Sequence, residues 1–96
     1  MTVDSMTIAY NPRCLLTVLE DGNGVLLHLD TKFYFTLNST GVFVWQCLEN
    51  NPTTPQSASQ LASQLAQEFE VDLDLATTDV QALLTELLEE SLVVAA

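Results

Sequence analysis

The apolar positions of this chain alternate in its first half and recur at helical spacing in its second. "CLLTVLE" (residues 14–20) is rich in apolar and β-branched side chains and predicts a strand. "DGNG" (residues 21–24) follows, and because Asp, Asn and Gly tolerate positive φ it predicts a hairpin turn. "VLLHLD" (residues 25–30) reads as the return strand and "TK" as a second tight connection. "FYFTL" (residues 33–37) is then a third strand, with Phe33, Phe35 and Leu37 on one face and Tyr34 and Thr36 on the other. Three such strands make an antiparallel meander whose first and third members lie at the edges.

From Asn38 the period changes. "NST" supplies N-cap oxygens, and Val42, Trp45 and Leu48 mark a helix running to about Glu49. The polar, proline-bearing residues 50–57 form a loop. Leu61, Leu65 and Phe69 define a second helix over residues 57–69, and residues 70–78 read as an acidic linker. Thr78 or Asp79 is the expected cap of a third helix with the stripe Val80, Leu83, Leu84, Leu87 and Leu88. "SLVVAA" is an extended tail expected to pack back on the sheet, and residues 1–12 a flexible arm. The order β-β-β-α-α-α predicts one α+β domain over residues 13–94, with its helices on one sheet face.

Composition narrows the function. At 96 residues and 48% hydrophobic content, the chain can bury a core without metal or disulfide staples. It shows neither a signal peptide nor an apolar run long enough to span a membrane, so a cytoplasmic location is expected. Thirteen acids stand against Arg13 and Lys32, a net charge of −11. That charge repels a phosphate backbone and argues against nucleic acid as a partner. Cys14 and Cys47 stand alone and read as small buried hydrophobes.

No catalytic constellation emerges. His28 alternates with apolar neighbours and reads as a surface or cross-strand residue. The acids of the third helix read as a solvated face, and "DLDL" lacks the pattern of a calcium loop. No enzyme activity, metal or cofactor is therefore expected. The remaining signal is the third strand, where aromatic residues lie on an unpaired edge that would be a liability unless something binds there. An extended peptide adding as a further strand is one answer. A homodimer through the same edge, or an acidic docking module, is the alternative, with a winged-helix DNA binder behind both.

"VLLHLDTKFYFTLNSTGVFVWQCL", "LASQLAQEFEVD" and "DVQALLTELLEESLV" together resemble the PqqD-like family, the recognition elements for precursors of ribosomally synthesised, post-translationally modified peptides (RiPPs). Leu37, Asn38, Gly41, Trp45, Asp79, Val80, Leu83, Leu84, Leu87, Leu92 and Val93 carry the resemblance. Many members have Gly in the turn that here reads "TKF", and Gly where this chain has Ser91, so the geometry of both turns stays open. The resemblance implies a winged-helix-like, non-catalytic domain that binds the leader of a precursor peptide and presents it to a separate modifying enzyme, such as a leader peptidase. It also implies a clamp of Lys32, Phe33, Tyr34, Phe35 and Thr36 against Val80, Leu83, Leu84 and Leu87. The short form of the chain is similar to the discrete recognition proteins of lasso-peptide pathways and to the stand-alone protein of the cofactor pathway, the first being favoured.

Overall fold

The computed structural model describes residues 6–96. Two small antiparallel sheets flank three helices. The meander consists of β2 (Cys14–Val18), β3 (Gly24–His28) and β4 (Tyr34–Leu37), paired in that order. The helices are α1 (Ser39–Glu49), α2 (Ala58–Phe69) and α3 (Leu73–Glu89). This is the expected α+β arrangement of a three-stranded meander and three helices. The second sheet is an addition: β1 (Thr7–Tyr10) lies between β5 (Gln56–Ser57) and β6 (Val93–Ala95).

Local chemistry explains the meander. At the first turn Asp21 Oδ1 accepts from the Asn23 N–H at 3.0 Å, and Gly22 adopts φ +90°, where a side chain would be strained. Gly24 then opens β3 for a different reason. A Cβ there would meet Val42 Cγ2 at 2.7 Å, so α1 lies directly on the sheet at this point. The second turn is organised by His28. Its Nδ1 faces the N–H groups of Asp30 and Thr31 at 3.2 and 3.4 Å, while Lys32 takes φ +64°. His28 is therefore a cross-strand residue opposite Cys14, and it is buried rather than at the surface.

The helices are capped by their own sequence. Asn38 Oδ1 accepts from the Gly41 N–H at 2.9 Å, and Ser57 and Gln60 form a reciprocal capping box on α2. The third helix begins earlier than the sequence suggested. Asp72 is its cap, and the Thr77 and Thr78 hydroxyls donate back to the carbonyls of Leu73 and Asp74, inside the helix. The supposed linker is helical because Ala76 extends the buried stripe of Val80, Leu84 and Leu87 by one turn. That stripe meets Leu61, Ala62 and Leu65 of α2 in a core that also holds Trp45, Leu26 and Leu48.

The N-terminal arm needs correcting over its second half. Residues 1–5 lie outside the described residues, but Thr7–Tyr10 forms a strand with Ile8 wholly buried and the Tyr10 ring edge-on to Trp45 at 5.8 Å. The C-terminal tail does pack as a strand, yet on β1 rather than on the meander. A single buried isoleucine and a half-buried tyrosine give too short an alternation to announce β1, and its partners lie at the far end of the chain.

Candidate functional site

Strand β4 has β3 on one side and no described strand on the other. Its hydrogen-bonding parity follows from the bond that the His28 N–H donates to the Phe33 carbonyl at 3.0 Å. Bonded pairs alternate along an antiparallel ladder, so Phe35 and Leu37 turn their backbone groups toward β3. Tyr34 and Thr36 turn theirs outward. Their side chains lie on the outer sheet face, where Tyr34 is 66% exposed, while Leu37 is buried in the core and Phe35 packs against it.

Beside this edge runs a cavity of about 420 Å³. One wall is Phe35, Thr36 and Leu37, with Asn38 at its end; Val44 and Leu65 contribute from α1 and α2. The opposite wall is α3, through Asp79, Val80, Ala82, Leu83 and Glu86. A smaller hollow of about 310 Å³ shares Thr36, Leu37 and Asn38 and continues toward Leu19 and Val25 of the hairpin. The two hollows thus meet at the C-terminal end of β4.

Of the residues the sequence nominated, the cavity brings together Phe35, Thr36, Val80 and Leu83. Tyr34 opens the same strand and Lys32 and Phe33 lie in the turn before it, all three outside the cavity lining. Leu84 and Leu87 require correction: both are 0% exposed, in the core beneath the groove rather than on its wall. Helical phase is the reason, since the buried stripe and the groove-facing stripe lie on adjacent faces of α3. Asp79, Ala82 and Glu86 were missed, although with Leu83 they recur at i, i+3, i+4 and i+7 and were open to the same test.

The turn that sets β4 in place is clamped by charge. Arg13 Nη2 meets Asp30 Oδ1 at 2.8 Å, and this hydrogen bond holds the Asp30 carboxyl below its ordinary range while raising the guanidinium. The two thiols are pushed the other way. Burial raises both Cys14 and Cys47, which keeps them protonated and unreactive at neutral pH. Among the described residues no group of three His, Cys, Asp or Glu side chains could hold a metal ion, and no helix is long and apolar enough to cross a membrane. What this arrangement offers is a strand edge, unpaired among the described residues, beside a slot with an apolar floor and polar rim.

Comparison with known proteins gives this geometry a context. The family model for coenzyme PQQ synthesis protein D (PqqD) matches residues 23–93. Among solved structures, the chain is similar to TbiB1 in complex with the TbiA(beta) leader peptide, at 25% identity and a TM-score of 0.73, over 88% of this chain and 93% of that one. It is also similar to lasso peptide synthetase B1 complexed with the leader peptide, at 27% identity and a TM-score of 0.71, over 92% and 98% of the two chains. The PqqD truncation of Methylobacterium extorquens PqqCD, a stand-alone RiPP recognition element, shares the fold at 20% identity and a TM-score of 0.75, over 98% and 95%. No curated protein matches the chain.

Proposed function

The chain belongs to the PqqD family, and on that premise we propose that it captures the leader region of a ribosomally synthesised precursor peptide by strand addition to β4. The observation that carries this reading is the outward-facing backbone of Tyr34 and Thr36 beside the groove. The N–H and C=O groups of the leader pair with those two residues, and every second leader side chain enters the slot between β4 and α3. Ordering a disordered segment costs about 2–5 kcal/mol. A few hydrogen bonds at about 1 kcal/mol each, with one or two apolar side chains at about 1.5–3 kcal/mol, offset that cost.

The protein is itself non-catalytic and hands the bound leader to a separate maturation enzyme, a leader peptidase in the lasso-type setting we favour. The similarity to two B1-type proteins held with leader peptides supports that setting. Self-pairing of β4 edges is the second reading, favoured by the same unpaired strand. Mass measured against concentration, with and without peptide, separates the two.

The direct test is titration of isotope-labelled protein with leader peptides encoded beside its gene. Saturable amide shifts concentrated in β4 and residues 79–86 are expected. Thr36→Pro is the control: it deletes an outward N–H that β3 does not use, and proline is tolerated at such edge positions. It should keep the melting transition and lose the shifts. Silence of the wild-type protein toward every such peptide would refute leader capture.

A further inference from the structure

The α3 wall of the groove is one helical stripe with an acid at each end. Asp79 and Glu86 bracket Ala82 and Leu83, and all but the half-buried Leu83 are exposed. The remaining walls supply apolar or neutral side chains, and no lining residue is basic. The chain has only two cations to offer. Arg13 is engaged with Asp30, and Lys32 lies in the turn before β4, outside the lining. The two carboxylates at the lip of the groove are thus left without a counter-charge from their own chain among the described residues.

We infer that the segment this groove accepts carries Lys or Arg on both sides of an apolar residue facing α3. The inference rests on the leader-capture reading and adds the chemistry of the captured segment. Seven helical positions place Asp79 and Glu86 about 10 Å apart along the axis. An extended peptide presents every second residue to one face, so its positions i and i+4 lie about 13 Å apart with i+2 between them. Long, flexible basic side chains span the difference, while the residue at i+2 meets Ala82 and Leu83. The pattern is basic–x–apolar–x–basic. An acidic residue at either flanking position is repelled, so the carboxylates select against as well as for. They also speed encounter with a cationic peptide at low salt.

The experiment is affinity selection of a random dodecapeptide library on the folded protein, followed by binding measurements on the enriched peptides. The inference expects Lys or Arg flanking an apolar residue at alternate positions. It also expects about fivefold weaker binding by the Asp79→Asn/Glu86→Gln double variant, the size of two partly screened ion pairs. Weakening by salt should be lost in that variant. Enriched peptides that lack the basic pair, bind both proteins equally and still shift the β4 amides would overturn the charge pattern and leave strand capture standing. If no enriched peptide shifts the β4 amides, strand capture falls and the charge pattern with it. Both substitutions are at exposed positions, and a melting curve checks the fold.

Discussion

Among the described residues, three other than glycine occupy the left-handed region: Lys32, Glu70 and Ser91, at φ of 64°, 53° and 59°. A side chain there clashes with the following carbonyl and costs roughly 1–2 kcal/mol. Lys32 and Ser91 fall in the two turns where the resemblance led one to expect glycine, and each takes a backbone conformation that glycine adopts freely. Ser91→Gly should raise stability by about 1 kcal/mol, read as an increased midpoint in urea unfolding. The Asp30 carboxyl, held low by Arg13, makes a second prediction. A depressed carboxylate stabilises the fold above its unfolded pKa, and that contribution fades as pH falls through its folded value. Asp30→Asn should therefore flatten the acid limb of the stability curve and slightly lower stability at neutral pH. Because the pair is solvent-exposed, the effect should be small and should shrink in salt.

Adjacent faces of α3 do different work, and neighbouring leucines report it. Leu84 is wholly buried, whereas Leu83 is half-buried and lines the groove. Leu83→Glu should abolish peptide binding with the melting transition retained. Leu84→Ala should destabilise the protein by about 2–5 kcal/mol, measured by chemical unfolding, before binding is even tested. The meander and the helical order were legible because turn residues and periodicity spoke together at "DGNG" and "NST". The start of α3 was not, because its first turn carries acids and threonines that equally suit a linker, and only the burial of Ala76 decides for helix. The groove was half legible. The family resemblance pointed to Phe35 and Thr36, but a stripe scored for hydrophobicity alone passed over Asp79 and Glu86, the acids that bracket it.

For the molecule as a whole, the unforeseen feature is the sheet that joins both ends of the chain. Register pairs Ile8 with Ala95 and Tyr10 with Val93, and the Ala96 N–H donates to the Thr7 carbonyl at 2.9 Å. Such contacts join residues more than eighty positions apart, so no local pattern signals them. They are nonetheless part of the core, since Ile8 and Val93 are both buried. Ile8→Ala should destabilise the fold by about 2–5 kcal/mol, visible in urea unfolding as a lower midpoint. The same pairing has a mechanical consequence. Tension applied between residues 7 and 96 would pull the adjacent ends of β1 and β6 apart, across the strands and along their shared hydrogen bonds. The ladder would then open like a zipper from Thr7 and Ala96, one bond at a time, instead of resisting as a set in shear. Pulled at residues 7 and 96, the molecule would let go of the β1–β6 pair first, at low force, with the meander still folded.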